Sequence, residues 1–359
     1  MLSLEIRKDL EKQQYRIVGD HSAVKICGWT RRMIQGRGGC YKLKFYGIMS
    51  SQCMQMTTCM SCANRCLICW RDYKAPVSKE WQGDIDDPAS ILEGSIAAHH
   101  KLLIGFKGSK TADKKAYQAS QEVRHVALSL TGEPIIYPRL NELLAHFNQR
   151  GISTFVVTNG QYPEAIRSLA PVTQLYLSLD AADRESLKRI DLPLFPDYWE
   201  RLNRSLDYLA QKEQRTCIRV TLTKGLTMDN PEDYAALIKK GDPDFIEIKA
   251  YMHVGASRQR LKKENMPTHE EVKAFVKQLS LLLPDWEAAD DHVPSRVVML
   301  AKKTFKKQGI WHTWIDFGKW HDRAISVEPF SSEEYSRKTP DGQKGLIDEK
   351  TKELTFWKP

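Results

Sequence analysis

No segment of the sequence has the features of a secretory leader or a membrane anchor. Residues 1–20 contain no charged stretch followed by an apolar one. The long uncharged run over residues 46–64 is too rich in Ser, Thr, Gln and Cys to span a bilayer. We therefore expect a cytoplasmic protein with no membrane partner, and its hydrophobic fraction of 42% is sufficient for a packed core.

Cysteine is nearly absent from most of the chain. Seven of the eight cysteines lie between Cys27 and Cys69, and only Cys217 lies elsewhere. In a chain without a leader, this crowding argues against a disulfide framework and favours metal binding.

Acidic residues are in deficit, with 45 Asp and Glu against 54 Lys and Arg, so the net charge is +9. The first 50 residues contain ten basic side chains and four acidic ones. An excess of this sign favours a polyanionic partner, although any single basic group is explained equally well as part of a solvated face. Further basic groups are Lys107, Lys110, Lys114, Lys115, Arg258, Arg260, Lys262, Lys263, Lys302, Lys303, Lys306 and Lys307.

Internal repeats are absent, and short β-prone runs alternate instead with amphipathic stretches. The predicted strands are residues 43–48, 125–130, 154–158, 174–179, 217–223 and 245–249, and the predicted helices between them are residues 89–103, 138–149, 197–212 and 231–240. Six β/α units in series predict an α/β fold with a parallel sheet, either open or closed into a partial barrel. The chemistry of such folds takes place at the carboxyl ends of the strands.

The pattern changes after residue 251. A helix is predicted over residues 268–283, where Thr268 and Glu271 form a capping-box signature, followed by a strand over residues 296–301. No structure is predicted for the polar tail. The resulting division is a basic N-terminal extension (1–43), a core (44–250), a C-terminal extension (251–330) and the tail (331–359).

Three cysteines follow the first predicted strand in a C-x3-C-x2-C spacing, namely Cys62, Cys66 and Cys69. Three thiolates within eight residues can bind three irons of a 4Fe-4S cluster and leave the fourth iron open to a small molecule. With Cys59 the same segment could form a zinc site, but structural zinc sites usually consist of two knuckles separated by a longer loop. The spacing also differs from that of electron-transfer ferredoxins.

This spacing, followed by the aromatic Trp70, resembles the signature of the radical S-adenosylmethionine (SAM) superfamily. The sequence SLTGEP contains Gly132 and Glu133 directly after the second predicted strand, similar to the GGEP motif with which that superfamily binds the methionine amino group, although Thr131 replaces the first glycine. Two further strand ends carry polar residues that could hold a ribose, namely Thr158 and Asn159 at one end and Ser178 and Asp180 at the other. The alternative is that Asn159 belongs to a common turn and that Asp180 caps a helix.

A second group of cysteines precedes the first at equal intervals of 13 residues: Cys27, Cys40 and Cys53. Three thiolates from separate turns could hold a second 4Fe-4S cluster, again with one open iron. The alternative is that these are buried free cysteines, which behave as small hydrophobic residues.

From about Val24 onward the chain resembles the tRNA 4-demethylwyosine synthase family, in its archaeal form. The resemblance rests on both cysteine groups and on the segments GGCYKLKFYG, QCMQMTTC, CANRCLICWRD, KLLIGFKG, SLTGEP and VTNG. It implies a partial (β/α)6 TIM-like barrel of the radical SAM type, with N-terminal cluster-binding and C-terminal extensions.

The resemblance also implies a reaction. The family condenses N1-methylguanosine, beside the anticodon of tRNA(Phe), with two carbons of pyruvate to form the tricyclic base 4-demethylwyosine. Cleavage of SAM at the first cluster would yield the radical that removes a hydrogen from the N1-methyl group. The cluster on Cys27, Cys40 and Cys53 would bind pyruvate, and Lys42 occupies the family position of a lysine that forms a Schiff base.

The resemblance further implies the partners. Only 26 residues precede Cys27, so we expect no flavodoxin-like domain before it, and the electrons would come from an external flavodoxin or ferredoxin. We also expect a monomer. Two other functions stay open at this point: a tRNA methylthiotransferase, which also combines two such cysteine groups, and a non-catalytic, zinc-stabilised RNA-binding protein.

Overall fold

Six buried strands of near-continuous apolar character form a parallel sheet. The structure, a computed structural model, describes residues 3–326, 328 and 330–340. The strands in this part of the chain are β1 (Arg16–Val18), β2 (Ser22–Lys25), β3 (Cys53–Thr57), β4 (His125–Leu128), β5 (Ser153–Thr158), β6 (Gln174–Leu179), β7 (Arg215–Leu222), β8 (Phe245–Ala250), β9 (Trp286–His292), β10 (Val297–Lys302), β11 (Lys306–Lys307), β12 (Ile310–Trp311), β13 (Trp314–Ile315) and β14 (Ser336–Arg337).

The main sheet has ten strands in the order β1-β2-β3-β4-β5-β6-β7-β8-β10-β9. Strands β3 to β8 are parallel throughout, and antiparallel strands extend the sheet at both edges. Along each strand, side chains alternate between the helix-covered face and the inner face. In β6, for example, Leu175 and Leu177 pack in the outer core, whereas Tyr176 belongs to a separate inner cluster. The predicted α/β partial (β/α)6 barrel is confirmed.

Most of the helices pack on the outer face of the sheet. The helices are α1 (Leu4–Lys12), α2 (Gly28–Ile34), α3 (Tyr41–Tyr46), α4 (Pro88–Leu103), α5 (Lys114–Ala119), α6 (Leu140–Gln149), α7 (Pro163–Arg167), α8 (Arg184–Asp191), α9 (Tyr198–Leu209), α10 (Pro231–Gly241), α11 (His269–Leu282) and α12 (Phe317–Ala324). The four predicted crossover helices correspond to α4, α6, α9 and α10. None of the helices in the described ranges is both long and apolar enough to cross a membrane.

Helix α3 is an exception, because it lies in the lumen of the barrel. Its side chains Tyr41 and Phe45 belong to the same buried cluster as the inward-facing Phe155 and Tyr176. The helix ends at Gly47, which adopts the left-handed conformation that favours glycine (φ 77°). Helix α3 therefore fills the lower part of the lumen.

The prediction of a first strand over residues 43–48 is wrong, since that segment belongs mostly to α3. A short apolar run does not by itself distinguish a strand from a buried helix. The first barrel strand is β3, which begins at Cys53. One consequence concerns Lys42 and Lys44, which share a face in a strand but point in different directions in a helix.

The C-terminal extension closes the bottom of the lumen. Thr313 donates a hydrogen bond from Oγ1 to the carbonyl oxygen of Phe45 (2.7 Å), and Trp314 donates from Nε1 to that of Lys44 (3.0 Å). The predicted helix and strand of this region correspond to α11, with its Thr268 capping box, and to β10.

The prediction of a structureless tail from residue 331 is wrong for residues 331–340, and residues 341–359 lie outside the described ones. Tyr335 is completely buried, accepts a hydrogen bond at Oη from the backbone N–H of Arg215 (2.6 Å) and donates to the carbonyl of Thr173 (3.1 Å). One buried aromatic residue among polar neighbours thus joins this segment to the barrel.

We predict that Tyr335→Phe lowers the free energy of unfolding by about 1–3 kcal/mol, because the substitution leaves the buried N–H of Arg215 and the carbonyl of Thr173 without partners. Chemical denaturation monitored by circular dichroism would measure the change. The control is Tyr208→Phe, which removes an exposed 3.3 Å hydrogen bond to Glu164 and should change stability by less than about 0.5 kcal/mol. Equal effects of the two substitutions would contradict a structural role for residues 331–340.

Candidate active site

The loop that follows β3 carries the C-x3-C-x2-C motif, and we call residues 58–73 the cysteine loop. Its three motif thiols, Cys62, Cys66 and Cys69, line a cavity of about 300 Å³. The same cavity is lined by all six residues predicted to bind SAM, namely Gly132, Glu133, Thr158, Asn159, Ser178 and Asp180. These residues come together because the carboxyl ends of parallel strands lie at one edge of a sheet.

The cysteine loop has little regular structure and is held by hydrogen bonds to its neighbours. The backbone N–H groups of Arg65 and Leu67 donate to the carbonyls of Asp191 (2.9 Å) and Ile190 (2.8 Å) at the end of α8. Within the loop, the buried guanidinium of Arg71 donates to the carbonyls of Asn64 (2.9 Å) and Met60 (3.3 Å). The thiols are therefore pre-positioned by the surrounding protein.

The three thiols line the cavity together with residues at the ends of the strands. Cys62 Sγ accepts hydrogen bonds of 3.4 Å from the backbone N–H of Asn64 and from Nδ2 of Asn159. Burial raises the pKa of the Cys62 thiol to about 12, and burial together with the carboxylates Asp191 and Asp180 raises the pKa of Cys66 well above its usual range. A metal loaded here must displace these thiol protons.

The donor atoms fit a metal that prefers thiolate ligands. Three sulfur ligands at one cavity suit an iron-sulfur cluster. The fourth cysteine of the segment, Cys59, is buried but does not line the cavity. That placement disfavours a four-cysteine zinc site. Cys66 also shares a set of ligand atoms within 4.8 Å of one another with Asp180 and Asp191.

Gly132 and Glu133 follow β4, and the backbone at Gly132 lies directly against the cysteine loop. Gly132 has φ +67°, and a Cβ atom at this position would overlap the carbonyl oxygen of Cys59. Glu133 is 2% exposed, and its Oε2 accepts a hydrogen bond from the N–H of Asn159 (2.9 Å), whereas its Oε1 has no hydrogen-bond partner among the residues that the structure describes. Burial raises the pKa of Glu133 to about 7. An unpaired buried acceptor that lines the cavity fits a bound ammonium group.

The second cysteine group lies around the N-terminal end of α3. Cys27 and Cys40 are the N-cap residues directly before α2 and α3, and Cys53 is the first residue of β3. Burial, with smaller contributions from Cys40 and Cys27 and against the opposing ammonium of Lys42, raises the pKa of Cys53 to about 12. Cys40 Sγ accepts a hydrogen bond from Ser50 Oγ (3.3 Å). The three thiols and Lys42 therefore share one neighbourhood, and this donor set also fits an iron-sulfur cluster.

The two lysines of α3 point to different surroundings. The ammonium of Lys42 lies 4.1 Å from the ring centroid of Tyr176 and 5.7 Å from that of Phe155, both inside the lumen. The ammonium of Lys44 lies 2.7 Å from Oδ1 of Asp290 on β9. Geometry thus separates the two lysines, which the strand prediction could not do.

Sequence reasoning missed a group of charged side chains between the two cysteine groups. Arg219 donates to Ser178 Oγ (3.2 Å), and Tyr46 Oη donates to Glu247 Oε1 (2.9 Å). Burial and Arg219 together lower the pKa of Lys249, which lines the cavity, to about 8. The only signal in the sequence was charged residues at alternate positions in the otherwise apolar strands β7 and β8.

Two family models match the chain. Residues 56–238 match the radical SAM superfamily, and residues 240–302 match a family described as wyosine base formation. The fold, the cysteine loop and the first of these matches define a protein of the radical SAM superfamily.

Comparisons with individual proteins narrow this assignment. The structure of TYW1 with a lysine-pyruvate adduct bound has 40% sequence identity and a TM-score of 0.76, covering 85% of this chain and 97% of that one. The crystal structure of archaeal TYW1 has 34% identity and a TM-score of 0.70, covering 86% and 99%. The chain belongs to the TYW1 family of tRNA 4-demethylwyosine synthases.

Curated relatives agree with this assignment. The SAM-dependent tRNA 4-demethylwyosine synthase of Mus musculus is 45% identical over 95% of this chain, and that of Oryza sativa is 47% identical over 95%. The chain spans about half the length of these relatives, 48% and 52% respectively. Because the family's similarity extends across eukaryotic sequences and an archaeal structure, these matches do not single out the archaeal form.

We predict that Gly132→Ala destabilises the metal-free protein by more than Gly225→Ala does. Both glycines have positive φ, which costs alanine about 1–2 kcal/mol, but no atom of the described residues lies within 4 Å of a Cβ at Gly225. At Gly132 the overlap with the carbonyl of Cys59 should either add about 1–3 kcal/mol to this loss of stability or displace the cysteine loop. Denaturation of both variants, with iron content after reconstitution, would measure this. Equal losses in the two variants would show that the loop does not constrain Gly132.

Proposed function

We propose that this protein is a radical SAM carbon-carbon lyase that condenses N1-methylguanosine of tRNA(Phe) with pyruvate to give 4-demethylwyosine. The observation that carries the proposal is the position of Lys42 in the lumen, beside Cys27 and Cys53 and on the same barrel as the SAM-type cavity. The relatives are SAM-dependent tRNA 4-demethylwyosine synthases, and the related TYW1 structure contains a lysine-pyruvate adduct.

The proposal assigns a 4Fe-4S cluster to each cysteine group. A cluster on Cys62, Cys66 and Cys69 would supply the electron that cleaves SAM. The Oε1 atom of Glu133 would accept a hydrogen bond from the methionine ammonium. Gly132 allows the backbone before Glu133 to lie close to the cysteine loop. Thr158, Asn159, Ser178 and Asp180 would hold the nucleoside part, since all four line the same cavity.

Lys42 would bind pyruvate at the second cysteine group. Its amine attacks the carbonyl carbon of pyruvate, and loss of water gives an imine that fixes the substrate. Such an attack needs a lysine that is sheltered from bulk water and close to the substrate. Lys42 is half-buried against the aromatic rings of Phe155 and Tyr176, which exclude water from one side. Placing the substrate on a rigid helix inside a barrel restricts its orientation.

The tRNA would bind on a basic surface beside the second cysteine group. Helix α5 packs next to α2, where the N–H of Asp113 donates to the carbonyl of Ile34 (2.8 Å). Their exposed basic side chains form what we call the α2-α5 basic surface, which consists of Arg31, Arg32, Arg37, Lys110, Lys114 and Lys115. Other basic residues are engaged within the protein, such as Lys44, Lys302 and Lys306, which form ion pairs.

The remaining partners follow from this chemistry. We propose a separate flavodoxin or ferredoxin as the electron donor, because cleavage of SAM requires one electron at low potential. We further propose that the protein acts as a monomer in the cytoplasm, where its tRNA substrate is available.

The function can be tested by mass spectrometry of the product. tRNA(Phe) that contains N1-methylguanosine would be incubated with the reconstituted, reduced protein, SAM and labelled pyruvate. The expected result is the tricyclic base with two carbons derived from pyruvate. SAM cleavage without labelled base would overturn the assigned reaction, whereas a methylthio group on the tRNA would indicate a methylthiotransferase.

We predict that Lys42→Ala retains SAM cleavage and both clusters but forms no tricyclic base. Borohydride should trap pyruvate covalently on Lys42 of the wild type, because reduction converts the reversible imine into a stable secondary amine. Peptide mapping by mass spectrometry would locate the adduct.

The control for this experiment is Lys44→Ala. Because Lys44 forms an ion pair with Asp290 on β9 and Lys42 does not, we expect this variant to keep product formation and adduct trapping. Product formation by Lys42→Ala at saturating tRNA, with weaker tRNA binding, would show instead that Lys42 contacts phosphate.

We predict that tRNA affinity falls steeply with salt, since phosphate binding releases counterions whose release is less favourable at high salt. The slope of log affinity against log salt is negative, and Lys114→Ala should make it less steep by about 1. Lys239→Ala, on the exposed surface of α10, should leave it unchanged. Fluorescence anisotropy would measure the affinities, and equal slopes for wild type and Lys114→Ala would exclude Lys114 from the binding surface.

A further inference from the structure

Arg260, which sequence analysis grouped with the candidate tRNA contacts, lies against the cysteine loop. It directly follows a short turn (Gly255–Gln259) beyond β8 and is half-buried. Its guanidinium donates hydrogen bonds to the carbonyl oxygens of Leu67 (3.1 Å, from Nε), Arg71 (3.3 Å, from Nη2) and Cys69. All three acceptors belong to the cysteine loop, so this arginine spans the segment that carries the last motif cysteine.

The backbone of the same turn also docks on the loop. The N–H of Ala256 donates to the carbonyl of Trp70 (2.9 Å). Gly255 has φ +59°, and a Cβ atom there would overlap that carbonyl oxygen. The turn and Arg260 together therefore bind four carbonyls of the loop, those of Leu67, Cys69, Trp70 and Arg71. Donors that are already bound to backbone carbonyls indicate a structural support for the loop and not a phosphate-binding surface.

An aromatic contact completes the arrangement. The guanidinium of Arg260 lies 4.2 Å from the ring centroid of Tyr73, and that of Arg65 lies 4.7 Å from it. Tyr73 is the last residue of the cysteine loop, so these contacts hold the second half of the loop as far as its end. The planar guanidinium of arginine can donate in a fork and stack at the same time, which a lysine cannot do.

We propose that Arg260 is a positioning residue for the cluster on Cys62, Cys66 and Cys69. Its hydrogen bonds fix the backbone of Cys69, and its charge stabilises the reduced cluster, which carries one more negative charge than the oxidised one. Groups that orient metal ligands typically change metal affinity about 10–100-fold when removed. The support comes from residues 240–302, the region that matches wyosine base formation, whereas the loop lies in the superfamily core.

This inference rests on the proposed cluster at the cysteine loop but not on tRNA or pyruvate. Arg260→Ala would be reconstituted anaerobically and compared with wild type by iron content, by the electron paramagnetic resonance (EPR) change that SAM induces in the reduced cluster, and by redox titration of that signal. We expect about tenfold weaker cluster retention under chelator challenge. We also expect an altered SAM-dependent signal and a more negative potential.

Two further variants complete the experiment. Arg260→Lys keeps the charge and loses the fork, so the potential should return toward that of wild type while cluster retention stays reduced. Arg204→Ala, exposed on α9, should match wild type in all three measurements. If Arg260→Ala does not fold, as judged by circular dichroism, Arg260→Lys decides the question alone, and unchanged cluster retention in it would overturn the proposal.

The alternative role is distinguishable. Normal cluster retention, EPR signal and potential in Arg260→Ala, together with weaker tRNA binding, would make Arg260 a phosphate contact and overturn the proposal. Failure of the wild type to form the tricyclic base would reject the proposed function, yet would leave the three cluster measurements on Arg260 unaffected.

Discussion

The cysteine loop must hold three thiols in fixed positions although it has almost no regular secondary structure. Its backbone is stabilised by hydrogen bonds from outside: the end of α8 accepts from Arg65 and Leu67, and Arg260 donates to Leu67, Cys69 and Arg71. Inside the loop, the buried Arg71 joins its two halves. Much of the surrounding architecture is therefore a support for this one segment, and the Gly132 turn adopts its shape to fit against it.

The lumen provides the second constraint. Most parallel barrels fill their interior with side chains from the strands. Here a helix fills the lower part, and polar and charged groups such as Arg219, Glu247 and Lys249 lie above it. Because Tyr41 and Phe45 anchor α3 in the inner cluster, Lys42 has a defined position relative to Cys27 and Cys53. A flexible loop could not place a lysine with comparable accuracy.

The sequence allowed the parallel sheet and the convergence of the SAM-type residues to be predicted, because strand periodicity and strand ends are local features. Five of the six predicted barrel strands correspond to β4 to β8. The first was wrong because the apolar run after Lys42 is equally compatible with a buried helix. Roles that depend on tertiary contacts were inaccessible: Arg260 looked like one of many surface cations, and Tyr335 like part of a polar tail.

The contacts between α3 and the C-terminal extension have a consequence for how the protein is made. Thr313 and Trp314 hold the carbonyls of Phe45 and Lys44 across almost 270 residues of chain. Contacts of such high sequence separation form late in folding, and during synthesis they must wait for the C-terminal region to emerge. Until then Cys53 lacks the buried C-terminal side chains that pack beside it in the folded protein, so oxidants and metals have freer access to it in the nascent chain.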